Sequence, residues 1–236
     1  MAKAINMNDA LEKKFGRSKT EERIYNVRNR KVYFLIVCEG KKTEYFYFKS
    51  FNNRDIQSYV CDTDVHGEGI STLGLVDKCI KIRDQSTRGY DKVWVVFDKD
   101  SFPPGHFNGA IERAKNNNIG CAWSNEAFEL WYLLHFDNVR HAMSRRDYGT
   151  TLGRKITKVK GEKFKYEKNA PNMYDVLEAY GDQALAIARA GNLRSSYADF
   201  KYHEHNPCTM VDVLVQELNG DSEDLLKKIK KRNKKK

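Results

Sequence analysis

The chain has 236 residues, 40% of them hydrophobic and 12% aromatic, with a net charge of +10. That size buries one sizeable core, and the composition excludes a disordered or fibrous chain. No apolar run approaches the ~20 residues of a membrane span, and the polar N-terminus lacks the long apolar stretch of a secretory leader.

Residues 1–31 hold nine basic and four acidic residues and read as a basic arm with a helix around Ala10–Phe15. The first strand, Val32–Cys38, lies in KVYFLIVCEG and ends at Glu39. A helix is expected from about Thr43 to Phe51, with Thr43 as its N-cap and Glu44 in its first turn, where the helix dipole favours an acid. A second strand is expected over Ile56–Val65, then a helix opened by Ser71. The third strand, Val93–Phe97, lies in KVWVVFDKD and ends at Asp98 and Asp100. SFPPGHF reads as a loop, followed by a helix near Asn108–Asn116 and a strand over Ile119–Trp123. Ser124 is expected to cap the apolar helix EAFELWYLLHF. Strand and helix thus alternate four times, which predicts an α/β core over 32–136 with a mostly parallel sheet flanked by helices.

Residues 137–226 are more polar and predict a C-terminal helical lobe that completes the domain. Met173–Ala190 has helical spacing, interrupted at Gly181. Thr209 and Asp212 resemble a capping box after Pro207, and Asp221–Lys231 reads as a last helix. The tail, 227–236, holds eight basic and no acidic residues. Positive charge therefore sits at both ends, and the body between them is slightly acidic. Basic ends suit a polyanion and an acidic body suits a cation. Cys38, Cys61, Cys79, Cys121 and Cys208 are odd in number and never spaced C-x-x-C. That pattern predicts free thiols in a reducing cytoplasm, with neither a disulfide framework nor a zinc site.

The chemistry is carried by acids at strand ends. In open α/β sheets ligands bind beyond the carboxyl ends of the strands. Glu39, Asp98 and Asp100 delivered to that edge supply oxygen ligands for a hard cation, Mg²⁺ or Mn²⁺. Asp98 and Asp100 are two apart, so in extended backbone they point the same way. Glu129 lies in an apolar helix, where a buried carboxylate needs a partner or a metal. Glu126 shares its face, and Glu44 is a further candidate. Taken singly, each acid is as readily a turn, a cap or a core ion pair. Lys41, Lys42, Lys99, Lys168, Arg189 and Arg194 are candidate phosphate ligands, and Lys230, Lys231 and Arg232 of the tail suit a nucleic-acid backbone. Gly40-Lys41-Lys42-Thr43 ends like a P-loop, but the earlier glycine is replaced by Leu35. His203-Glu204-His205 is not a zinc motif.

VYFLIVCEGKKTEYFYFKSF, YDKVWVVFDKD, SNEAFELWYLLHF, the YEK at Tyr166, AIARA and HNPCTMVDVLV occur in the order seen in RloB-like proteins. The chain resembles that family from about Arg30 to Leu218. The resemblance implies a relation to the Toprim superfamily and a Toprim-like, Rossmannoid catalytic core. Glu39 then matches the Toprim glutamate, Asp98 and Asp100 its D-x-D, and Glu44 the additional acid of OLD-type nucleases. One departure is Glu126, where the family often has Pro. The resemblance further implies a Mg²⁺- or Mn²⁺-dependent nuclease in anti-phage or abortive-infection defence, cutting RNA, tRNA or DNA, with an AAA/ABC-type ATPase as partner. Homo-oligomerisation stays open. A non-catalytic module that senses nucleic acid or a nucleotide, or a nucleotidyl transferase, fits the same residues.

Overall fold

A computed structural model describes residues 31–56, 59–100, 103–223 and 225–227. The arm before residue 31, with its expected helix, lies outside the described residues, as do Lys230, Lys231 and Arg232.

In chain order the elements are β1 (Lys31–Cys38), α1 (Thr43–Lys49), β2 (Arg54–Ile56), β3 (Tyr59–Gly67), α2 (Thr72–Gln85), β4 (Lys92–Asp98), α3 (Pro104–Asn116) and β5 (Gly120–Asn125). There follow α4 (Glu129–Leu134), α5 (Arg145–Lys160), α6 (Met173–Tyr180), α7 (Gln183–Ser195), a 3₁₀ turn (Tyr202–Glu204), β6 (Cys208–Thr209) and α8 (Val211–Asn219).

Alternating side chains build two apolar layers around one sheet. β1 sends Phe34, Ile36 and Cys38 to one face and Leu35 and Val37 to the other. β4 does the same with Trp94 and Val96 against Val95 and Phe97. Strands covered on both faces read as continuous apolar runs, which is why these two were legible. The first layer is closed by α1 and α4–α8, the second by α2 and α3. In the first layer Tyr47 of α1 meets Phe128 edge-on at 5.7 Å, and Phe51 meets Tyr174 of α6 at 5.0 Å. Pairs of this kind add about 1 kcal/mol each beyond their buried area and lock α1 against α4 and α6.

The strand order is β2-β3-β1-β4-β5-β6. β3, β1, β4 and β5 are parallel, and the edge strands β2 and β6 are antiparallel. The sheet is therefore mixed, not parallel throughout. The expected second strand divides into β2 and β3, with too few residues between them for a parallel crossover. From β1 the chain goes to β3 on one side, then returns to β4 on the other. The order thus reverses at β1 and β4, the switch point where α/β sheets open a crevice.

Local expectations differ from the structure at three caps. Ser124 lies within β5, its hydroxyl paired to Thr209 at 2.9 Å, and the following helix starts only at Glu129. The polar Ser124-Asn125-Glu126 reads locally as a helix cap, but pairing of Ser124 and Asn125 with Thr209 and Cys208 of β6 extends the strand through them. Thr43 is the first residue of α1, with Lys42 at the cap position, and its hydroxyl donates to Asn169. Thr209 belongs to β6, and the Asp212 carboxylate is held by Arg194. The break at Gly181 is present: it separates α6 from α7, and Asp182 caps α7 through the Leu185 N–H. All five cysteines are free thiols. Among the described residues no helix is long and apolar enough to cross a membrane.

Candidate active site

The ends of β1 and β4 are tied together. The Glu39 N–H donates to the Val96 carbonyl at 2.8 Å, and the Asp98 N–H donates to Glu39 Oε2 at 3.3 Å. Asp98 is the last residue of β4, so pleat parity places it on the Trp94–Val96 face, toward α1 and α4. There it meets Glu44 from α1 and Glu129 from α4. Glu39, Glu44, Asp98, Asp100 and Glu129 line one cavity of about 230 Å³ with Gly40, Thr43, Phe128, Arg145, Lys168 and Asn169.

Asp100 reaches this cavity by a route the extended-backbone argument did not foresee. It lies beyond the strand with φ at +40°, in the left-handed region, and its side chain is 44% exposed. Arg145 gathers the pair. Its guanidinium lies 3.3 Å from Asp98 Oδ2 through Nη2 and 3.3 Å from Asp100 Oδ2 through Nη1. Arg145 is the first residue of α5, held by the Ser144 cap, whose hydroxyl accepts from the Asp147 N–H. Its Nη2 also reaches the Glu126 carbonyl at 3.5 Å. Its Nε is buried with no hydrogen-bond partner among the described residues.

Glu44 curls back over the β1–α1 turn. A Cβ on Gly40 would overlap its carboxylate, so only glycine admits this conformation. Glu129 accepts from the Tyr166 hydroxyl at 3.0 Å. Tyr166 in turn lies against Gly149 of α5, where an added Cβ would stand 3.0 Å from its ring.

Crowded, dehydrated acids hold their protons. Burial first, and then the charges of Glu44, Glu129 and Glu39, push Asp98 well above the usual carboxylate range, with Arg145 opposing. Burial also raises Glu44, reinforced by Glu129 and opposed by its own backbone N–H, Lys168 and Arg145. Glu39 is pushed up to about 7, again chiefly by burial. The cavity holds five carboxylates and two basic side chains. It is short of positive charge.

The donors are all oxygen, which fits a hard divalent cation and not zinc or a soft metal. Among the described residues, however, no three His, Cys, Asp or Glu side chains stand in an arrangement ready to hold a metal ion. Arg145 occupies the bridging position between Asp98 and Asp100, so a cation needs that guanidinium to move aside.

Other expected ligands lie elsewhere. Lys41 and Lys42 are exposed and outside the cavity lining, with the Lys41 stem folded over Gly69 and its backbone against Gly67. Lys99 Nζ donates to the Asp100 carbonyl. Arg189 donates to the Leu134 carbonyl at 2.6 Å, at the end of α4, and Arg194 is bound to Asp212 and the Thr209 carbonyl. Glu126 precedes α4 rather than sharing a helical face with Glu129, and it does not line the cavity. Arg145 carries no sequence signal, since it sits in a polar stretch without periodicity, and Tyr166 is marked in the sequence only by the YEK motif.

The family model for RloB-like proteins matches residues 34–218. The chain belongs to the RloB-like family. That span begins in β1 and ends in α8, so it takes in every element lining the carboxylate cavity. Comparison with curated proteins and with solved structures returns no match.

Proposed function

We propose that this RloB-like protein is a divalent-cation-dependent nuclease of Toprim type, cutting RNA, tRNA among them, or DNA in defence against phage. The observation that carries this reading is the cavity at the switch point, with five carboxylates against two basic groups. When bound, Mg²⁺ or Mn²⁺ would polarise the scissile phosphate and activate the attacking water. Glu39, Glu44, Asp98, Asp100 and Glu129 are the residues that would hold it. Glu39 Oε2 is fixed by the Asp98 N–H, leaving Oε1 to take a proton at neutral pH, where its carboxyl titrates. Arg145 and Lys168 would turn from the acids to the phosphate oxygens, the guanidinium as a planar fork. The basic ends of the chain would hold the nucleic-acid backbone, and the family's role supports an AAA/ABC-type ATPase as partner.

The ion pairs from Arg145 to Asp98 and Asp100 favour a second reading. In it the cavity stays closed and the protein is a non-catalytic sensor of nucleic acid or nucleotide.

One experiment separates the two. Wild type and Asp98→Ala are incubated with tRNA, single-stranded RNA and plasmid DNA, with Mg²⁺, Mn²⁺ or EDTA. Cleavage that needs the cation and is lost in the variant is the expected result. Cleavage in EDTA, or full activity in Asp98→Ala, would overturn the site. If nothing is cut, thermal melting with and without Mn²⁺ decides: no cation shift in wild type leaves the sensor.

A further inference from the structure

The N-terminus of α2 stands at the same strand edge as the carboxylate cavity, on the opposite face of the sheet. The loop leading into it is bonded to the end of β1. The Glu68 N–H donates to the Cys38 carbonyl at 3.0 Å, and the Gly69 N–H donates to the Glu39 carbonyl at 2.8 Å. From there α2 packs Leu75, Val76 and Cys79 into the second layer with Leu35, Val37, Val95 and Phe97.

This helix end is uncapped. Among the described residues its first bonded N–H is that of Leu75, which donates to the Ser71 carbonyl at 2.8 Å. The N–H groups of Thr72, Leu73 and Gly74 have no partner there, and the exposed Ser71 hydroxyl at the cap position accepts from none of them. The first turn carries no acid. Thr72 is the residue that points to a ligand. It is 0% exposed, and its Oγ1 is buried with no hydrogen-bond partner among the described residues. Buried hydroxyls are nearly always bonded, so an orphaned one marks a place for an acceptor. Thr72 shares the inner face of α2 with Leu75, Val76 and Cys79. Side chains on a helix lean toward its N-terminus, so from the first turn this hydroxyl reaches the end where the N–H groups are free.

Lys41 supplies charge. Its stem crosses Gly69, where an added Cβ would stand 2.5 Å from Lys41 Cε and 3.4 Å from Nζ. Among the described residues the ammonium forms no ion pair. The one acid of the loop, Glu68, lies 3.6 Å from Lys78 Nζ and 3.9 Å from His66 Nδ1. Free N–H groups at the positive end of a helix, two hydroxyls and a lysine are the donors of an anion site. Several donors at one place suit the several oxygens of a phosphate group.

We propose that the N-terminus of α2, with Ser71, Thr72 and Lys41, binds a phosphate group of a nucleic-acid strand, next to the phosphate that reaches the carboxylates. Glu39 joins the two places: its carbonyl holds the loop, and its side chain lines the cavity. A strand crossing the end of β1 is then fixed at a phosphate beside the scissile one, which sets the register of the cut. That register rests on the nuclease reading; the binding of phosphate does not.

The test measures binding by the full chain in EDTA, so that its outcome is independent of any cleavage. The probes are a short single-stranded oligonucleotide and inorganic phosphate. Thr72→Val keeps the shape of the side chain and removes the hydroxyl. It should be at least as stable as wild type in urea, because no bond is lost, and should bind the oligonucleotide ~10-fold more weakly with an unchanged salt slope. Lys41→Met should also weaken binding and lower the salt slope by ~0.7, the share of one phosphate contact on a single strand. Oligonucleotide affinity unchanged in both variants would overturn the strand as the source. A melting shift with inorganic phosphate that both variants lose would then assign the site to a free phosphate compound. A less stable Thr72→Val would make its hydroxyl structural and overturn the site.

Discussion

Asp98 stands where burial and three neighbouring acids push one way and Arg145 the other. Without a cation the neutral acid is favoured, so Asp98→Asn should cost less than about 1 kcal/mol at pH 7. The same variant should lose the melting shift that Mn²⁺ gives wild type. Loss of folding in Asp98→Asn would show that its charge is structural. Glu39 and His135 give pH effects of opposite sign. Glu39 is raised from 4.5 to about 7, so between those values the folded state keeps a proton that the unfolded chain releases. Stability therefore falls as pH rises through that window, and Glu39→Gln removes the fall. His135 is lowered from 6.5 to about 4, so the unfolded chain takes the proton first. Stability is then lost as pH falls below 6.5, by about 3 kcal/mol near pH 4. His135→Asn should remove that loss. Urea melts of the three proteins from pH 4 to pH 8 separate the two contributions.

At the scale of elements, the β1–α1 turn and the end of α4 determine what the site can hold. Gly40→Ala places a methyl group where the Glu44 carboxylate lies, and Glu44 must swing out. The expected outcome is a folded protein with a weakened Mn²⁺ response, read by calorimetry. An unchanged response would remove Glu44 from the cation set. Arg189 binds the Leu134 carbonyl at the C-terminus of α4, where a cation also complements the helix dipole. Arg189→Met should therefore cost about 1–3 kcal/mol of stability. Nucleic-acid affinity that drops in this variant while stability holds would instead assign Arg189 to phosphate. Trp131 bridges α1 and α4 through Tyr47, which makes these two helices one unit behind the acids.

At the scale of the whole molecule, charge is divided between basic ends and an acidic body. Removing residues 227–236 should weaken nucleic-acid binding and flatten its salt dependence, since each phosphate neutralised releases counterions. An identical salt slope would leave the tail with solubility alone. The helical second half is continuous with the sheet: α5 and the loop after it bring Arg145, Tyr166 and Lys168 over the ends of β1 and β4. β6, from the same half, joins the sheet edge.

Periodicity and strand-end acids made part of this legible. The apolar runs before Glu39 and Asp98 identify buried strands because a strand covered on both faces must be apolar along its length. The RloB-like likeness rested on motifs spread through the chain, and the family match spans nearly the same residues. Sequence alone left other features open. It placed the β5 strand but ended it at Trp123, because the polar Ser124-Asn125-Glu126 reads as a helix cap until Ser124 and Asn125 are seen to pair with β6. The two-residue β6 was too short for any period. Arg145 was invisible, since a basic residue in a polar stretch looks solvated until a helix cap aims it at two acids. The shortage of positive charge in the cavity depends on which side chains share one dehydrated space, and only tertiary packing decides that.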